Sequence, residues 1–420
     1  MTDFRRAARD VSNWGRWGDD DELGTLNFIT EEKIAQAASL VQHGKVFPLG
    51  VDFGSSGPQG AFGFRHNPIH VMTVDGGDAA TLAQYGPGWD RNPTAAQMGP
   101  YFVDNLFRFN DDMIIMPLQA ATQWDALSHV YYDDLLYNGV PAGSVTSLGA
   151  RRLGIEKVDG KGITSRGVLL DLVRHRGAAV FLEHGNPITP EELDDVVRAQ
   201  GVTIERGDIL LIRTGWWTRY LETGNKTEPY SGLDWRCAQW LHDHEVAAVA
   251  SDNLQVEDPV SGVDGVFLPF HLLTLRDMGL MLGEYWDLSA LAADCAADGV
   301  YEFQLVAPPL RFVGAVGSPV NRSRSNREGG RWRFIAKRCR SMAWSPATLR
   351  RARATRWCCC TAGSSGPAPS SAGNATSPHS PRATGCWRPT SWASAGPPRS
   401  STSSTVAACG SGTWPGSANC

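Results

Sequence analysis

Residues 117–139 read PLQAATQWDALSHVYYDDLLYNG, and the core of that stretch, Gln119-x-x-Thr122-Gln123-x-Asp125-x-x-x-His129, decides how the rest of the chain is read. Asp125 and His129 are four apart, a spacing that puts two side chains on one face of a helix. A carboxylate oxygen and an imidazole nitrogen are the parts of a hydrolytic metal site or of an acid–base pair. Spacing alone favours the plainer reading, a structural Asp–His hydrogen bond, so the surrounding chain has to arbitrate.

Downstream, short aliphatic runs alternate with helical ones. Residues 167–173 (GVLLDLV), 208–213 (DILLIR) and 245–251 (EVAAVAS) are bounded by Gly or charge and almost continuously apolar. That pattern suits strands buried on both faces. Residues 233–244 (LDWRCAQWLHDH) between the last two read as a helix, and strand–helix–strand is the α/β rhythm. Two further helices are expected. Residues 30–43 (TEEKIAQAASLVQH) have amphipathic spacing, and residues 190–200 open with Thr189 as N-cap, Pro190 at the first position and Glu192 completing a capping box, with Gly201 as the stop. The expected class is therefore α/β, one domain with long Gly/Pro-rich loops. The loops are concentrated in residues 50–115, where GSSGPQGAFGF and GPGWDRNP occur; such loops commonly cover or line a site.

The chain has 420 residues, 42% hydrophobic and 20% charged, enough for a large core. Its two ends differ in kind. Residues 322–420 hold 14 Arg and Lys337 against one acid, Glu328, a net of +14 that leaves −19 on residues 1–321. Seven of the nine Cys and six of the fifteen Trp also lie after residue 321, and no hydrophobic period accompanies them. A basic tail could bind nucleic acid or membrane, and a Cys-rich one zinc, though no C-x₂-C pair is present. The composition matches a G+C-rich gene read out of frame. Restoring one C near codon 321 turns Asn-Arg-Ser-Arg-Ser into Asn-Pro-Ile-Ala-Ile-stop, and resequencing the DNA there checks this. Residues 1–321 are thus read as the domain and 322–420 as a probable out-of-frame tail with no folded domain expected.

The body retains two Cys, Cys237 and Cys295, as expected of a reduced, cytoplasmic protein. A charge near −19 argues against nucleic acid and anionic membranes as partners. No 18-residue apolar run and no N-terminal apolar signal segment occur. The body lacks a P-loop, a strand-linked G-x-G-x-x-G and a G-x-S-x-G elbow, which removes support for a nucleotide site or a serine hydrolase.

Residues 117–139 resemble the signature of the metal-dependent cyclase family, which includes bacterial kynurenine formamidase and isatin hydrolase. That signature runs His-x-Gly-Thr-His-x-Asp-x-Pro-x-His. Thr122, Asp125 and His129 match it, while its two ligand histidines fall on Gln119 and Gln123, its glycine on Ala121 and its proline on Leu127. The resemblance continues through residues 246–259 (VAAVASDNLQVEDP), through Pro269-Phe-His271 and Gly283-Glu284, and into residues 307–321 (APPLRFVGAVGSPVN), expected as a closing strand.

It implies a swivelling β/β/α fold, a homodimer or higher homo-oligomer, and a small-molecule substrate, cyclic or aromatic. It also implies metal ligands at Asp125, His271 and Glu284, with positions 119 and 123 completing a first metal and His129 as the acid/base residue. Gln offers only a neutral amide oxygen, a weak ligand for Zn²⁺ though tolerable to Mn²⁺. One divalent ion, Mn or Zn, is therefore expected, and a second is doubtful. The implied activity is hydrolysis or closure of an amide, lactam or lactone, arylformamidase-like in bond type. The absent histidines set the chain apart from kynurenine formamidase proper, and a non-catalytic small-molecule-binding protein on the same scaffold is the rival reading.

Two more residues are substrate-binding candidates. Trp124 sits inside the signature, and His70 enters an apolar run (IHVMTV) after Arg65-His66-Asn67-Pro68. Trp14 and Trp17 are read as ordinary packing.

Overall fold

The computed structural model describes residues 2–60, 63–77, 108–227, 230–260, 262–320 and 323–326. Part of the Gly/Pro-rich loop region (78–107) and the basic tail after Asn326 lie outside the described residues.

Strands follow in the order β1 Lys45–Val46, β2 Ile69–Val74, β3 Asp111–Ile115, β4 Gln123–Asp125, β5 Val145–Thr146, β6 Gly149–Ala150 and β7 Thr164–Asp171. The later ones are β8 Ile209–Arg213, β9 Ala248–Ser251, β10 Met281–Glu284, β11 Glu302–Val306, β12 Gly317–Pro319 and β13 Ser323–Asn326. Nine of them form one mixed sheet in the order β1-β13-β11-β7-β8-β9-β10-β4-β12. The centre, β7 through β10, is parallel, and antiparallel strands extend it on both sides. The runs read as doubly buried strands are these central ones: Leu169, Leu211 and Val249 are each 0% exposed. Burying such a side chain contributes roughly 1.5–3 kcal/mol. The α/β class is borne out.

The helices form where their caps allow. Glu31–Ser39 begins at Thr30, whose hydroxyl accepts from the Lys33 amide at 3.2 Å. It stops short of the expected residue 43. Pro190–Gln200 begins at Thr189 and ends at Gly201 with φ +67°. The capping box is only half made. Thr189 accepts from the Glu192 amide, but the Glu192 carboxylate turns to Arg176, receiving two hydrogen bonds of 2.6 Å. A fixed guanidinium fork is a stronger donor than one backbone amide.

Two expectations are corrected. Asp125 and His129 do not share a helix: Asp125 ends β4, and a turn closed by the His129 amide on the Ala126 carbonyl (2.9 Å) follows. The expected closing strand over 307–321 is only β12, with β11 finishing just before it. The first residues after the expected frame break also form β13, paired through the main chain with β11 and β1. Residues 1–335 form one compact unit, and among the described residues no helix is long and apolar enough to cross a membrane.

Candidate functional site

Alternation along β4 sets the floor of the site. Gln123 and Asp125, two apart, face one side of the sheet, and Trp124 faces the other. Trp124 is fully buried, packs edge-on against Trp286 with centroids 5.1 Å apart, and donates its indole N–H to the Ala307 carbonyl at 2.9 Å. Beside β4 runs β10, with Glu284 opposite Gln123 and Gly283 opposite Trp124. A Cβ on Gly283 would lie 2.5 Å from Trp286 Nε1 and 2.9 Å from Trp124 Cζ3, so the tryptophan pair requires glycine there. Thr122 adds a cross-link: its hydroxyl accepts from the Val51 amide at 2.9 Å and donates to the Tyr285 carbonyl.

His271 comes from a separate element, the short helix Pro269–His271 that opens the π-helical segment Leu272–Met278. Ligand atoms of Asp125, His271 and Glu284 lie within 4.8 Å of one another, all three residues buried. His271 Nε2 is 3.4 Å from Glu284 Oε1. On the other side of the ring, His271 Nδ1 hydrogen-bonds Glu257, whose carboxylate also accepts from the amides of His271 (3.0 Å) and Phe270 (3.1 Å). Glu257 thus fixes the ring so that Nε2 faces the carboxylates, as a carboxylate does behind a metal-binding histidine. The sequence reading passed over Glu257; its signal was the Glu257-Asp258-Pro259 turn straight after a buried strand.

Backbone strain gathers at the same place. Val256, Leu268 and Tyr285, which precede Glu257, precede Pro269 and follow Glu284, have φ of +61°, +51° and +57°. Side chains other than glycine pay about 1–3 kcal/mol for that region, and such residues concentrate at functional sites.

The electrostatics follow from burial and crowding. Burial, then the neighbouring Asp125 charge, push the Glu284 carboxyl up to about 7. Burial alone would lower the His271 pKa, but hydrogen bonds and charge from Glu257 and Glu284 outweigh it and push it up to about 10. His129, with Nε2 3.9 Å from Asp125 Oδ1, is lowered by burial, which the Asp125 charge only partly offsets.

The glutamines behave differently from one another. Gln123 Nε2 donates to Glu284 Oε2 at 2.7 Å and approaches Asp125 Oδ1 at 3.4 Å, so its amide nitrogen, not its oxygen, faces the cluster. Gln119 is buried with its Nε2 against Gly317, where a Cβ would lie 2.5 Å away, and Gly317 stands opposite Asp125 in the β12–β4 pairing. Asp125 Oδ2, Gln123 Oε1 and Gln119 Nε2 are buried without hydrogen-bond partners among the described residues.

His129, His271 and Glu284 open onto a cleft of about 160 Å³, walled by Phe64, Arg65, Leu254 and Tyr285 among others. Neither proposed substrate residue lines it. Trp124 is on the opposite face of β4 by strand alternation, and His70 stands on the β2–β3 ribbon, where its Nε2 pairs with Asp112 at 2.7 Å. Trp14 and Trp17 pack as expected, Trp14 donating to the Arg276 carbonyl (2.9 Å) and Trp17 edge-on to Phe28 (5.1 Å).

Residues 67–258 match the model of the cyclase family, described as "Putative cyclase". The crystal structure of a novel cyclase is 40% identical, with a TM-score of 0.66, covering 75% of this chain and all of its own. The chain belongs to the cyclase family. The part of the cyclase matched by the family model holds Asp125, His129 and Glu257 and ends before His271 and Glu284. The chain is also similar to isatin hydrolase A from Labrenzia aggregata bound to benzyl benzoate, at 15% identity and TM-score 0.47 over 70% of this chain and 97% of that one. A potential metal-dependent hydrolase with cyclase activity aligns at 16% identity and TM-score 0.37 over 67% and 98%. No curated protein matches the chain.

Proposed function

We propose that this cyclase is a metal-dependent hydrolase that opens, or in reverse closes, an amide, lactam or lactone bond. The observation that carries the reading is the buried Asp125–His271–Glu284 cluster at the floor of a cleft that His129 also faces. The residues fit one divalent ion. Two carboxylates buried this close, one with an oxygen lacking any partner among the described residues, are costly unless a cation lies between them. Two carboxylates and one imidazole suit Mn²⁺ or Zn²⁺. When bound, such an ion acidifies a water molecule and polarises the carbonyl under attack.

The chain's own residues supply the rest. Glu257 holds the His271 ring through Nδ1 so that Nε2 faces Glu284, and Nε2 would be the ligand atom once a metal ion takes the place of its proton. Gln123 donates to Glu284 and Asp125, and so aims the carboxylates rather than serving as a ligand. Gln119 and Gln123 offer only neutral amides where a second ion would need imidazoles, which supports one ion, not two. His129, kept neutral by burial, takes a proton from the attacking water at Nε2 and returns it to the leaving nitrogen or oxygen.

The test is calorimetric titration of the full chain with Mn²⁺ and Zn²⁺, followed by a proton-release screen on lactones, lactams and formanilides. One ion per chain in the wild type, none in Asp125→Ala or Glu284→Ala, and turnover lost in His129→Ala are expected. The rival binding-protein reading is favoured by one observation, the Gln123 amide nitrogen already hydrogen-bonding Glu284 and approaching Asp125 Oδ1. Absence of metal uptake would select it.

A further inference from the structure

We infer that Arg65 recognises a carboxylate on a substrate of about one ring, which deepens the hydrolase reading by naming its substrate class. Arg65 lines the cleft that His129, His271 and Glu284 share. Among the described residues its guanidinium makes no hydrogen bond and no ion pair; its one close partner is the Phe64 ring, 5.4 Å from the guanidinium carbon to the centroid. Glu284 is engaged with Gln123 and His271, and Glu257 with His271 and two backbone amides, while Asp125 Oδ2 has no hydrogen-bond partner among the described residues, Arg65 included. The Arg65 charge acts on Glu284 and Tyr285 through space, favouring their ionised forms, but among the described residues no hydrogen bond or ion pair occupies its guanidinium.

The wall around it is otherwise largely apolar, with Phe64, Val130, Leu254, Phe267 and Leu268. A neutral ring filling this cleft would strip water from the guanidinium and give no hydrogen bond back, a costly exchange. A ligand carrying a carboxylate restores those bonds, and the planar guanidinium fork matches a carboxylate with two parallel hydrogen bonds. Size agrees: a cleft of about 160 Å³ compares with the roughly 150 Å³ cavity that accepts benzene. Charge agrees too. One cation without an ion pair among the described residues balances a monoanion, whereas a dianionic phosphate would meet Asp125 and Glu284 with a single partner.

Benzoate and benzamide serve as probes, titrated calorimetrically into the full chain with and without Mn²⁺, for the wild type, Arg65→Gln and Arg65→Lys. The wild type should prefer benzoate; Arg65→Gln should lose about tenfold to a hundredfold of benzoate affinity with benzamide unchanged. Arg65→Lys, which keeps charge without the fork, should fall between. Equal binding of the two probes by the wild type overturns the inference. Benzoate affinity unmoved in Arg65→Gln also overturns it, since the metal alone would then hold the anion. Mn²⁺ uptake is read in the same titrations: a wild type that takes up no Mn²⁺ sinks the hydrolase reading, while the metal-free probe comparison still decides the role of Arg65.

Discussion

The centre of the sheet and the β2–β3 ribbon are built from the same kind of residue and have opposite fates. In β7 to β10 almost every side chain is buried, whereas in the ribbon Ile69, Val71, Met72, Met113, Ile114 and Ile115 are 40–49% exposed. Both contain short apolar runs, IHVMTV being that of the ribbon. What separates them is partnership: a central strand has hydrogen-bonded neighbours on either side, and the ribbon, among the described residues, has one strand against one strand. A two-stranded unit has too few neighbours to cover its faces. This is why His70, placed near the site because it opened an apolar run, sits with Asp112 on an exposed ribbon instead.

The contrast can be broken or sharpened by substitution. The largest effect is expected at Leu211→Ala, which empties a fully buried position in β8. About 2–5 kcal/mol of unfolding free energy should be lost in urea denaturation. Gly283→Ala, where the added methyl meets Trp286, Ala250 and Trp124, should cost about 1–3 kcal/mol in the same assay by overpacking. If it proves neutral, the tryptophan pair is looser than described. Glu257→Gln keeps the shape but not the charge behind His271, and metal affinity should fall about tenfold to a hundredfold in a Mn²⁺ titration.

A smaller, pH-dependent effect is expected at Asp277, whose carboxyl burial pushes up to about 6 against the opposing hydrogen bond and charge of Arg276. The folded state then holds this proton more tightly than the unfolded chain. Stability from this group is present at low pH and is lost as pH rises from about 4 to 6. The melting temperature at pH 5 minus that at pH 7 should be smaller in Asp277→Asn than in the wild type, and an identical difference would reject the assignment. Smallest of all, Ile114→Thr on the ribbon should change stability by about 0.5 kcal/mol or less, as surface substitutions do.

The sheet's centre was legible because its residues carry their own evidence: strands buried on both faces need continuous apolar runs, and GVLLDLV, DILLIR and EVAAVAS supply them. The helix 190–200 was legible for the same reason, its caps being local. Asp125, His129, His271 and Glu284 were reached through a signature, not through geometry, and the geometry differs from the first expectation: a strand end and a turn, not a helix face. Arg65 and the placement of Trp124 were not legible, and Glu257 left only the Glu257-Asp258-Pro259 turn as a trace. Each depends on a contact across the fold or on a φ above zero at Val256, Leu268 or Tyr285, and no side-chain pattern announces a left-handed valine.

The strand β13 has a practical consequence for anyone trimming the chain. It fills the slot between β11 and β1 with main-chain hydrogen bonds, which do not depend on which side chains follow. A protein cut after Asn321, the boundary that composition alone recommends, would bare one whole side of β11 and detach β1 from the sheet. An uncovered strand edge recruits strands from other molecules. A cut made to remove an unwanted tail would thus trade it for a sticky seam, and one placed beyond Asn326 would keep the seam closed.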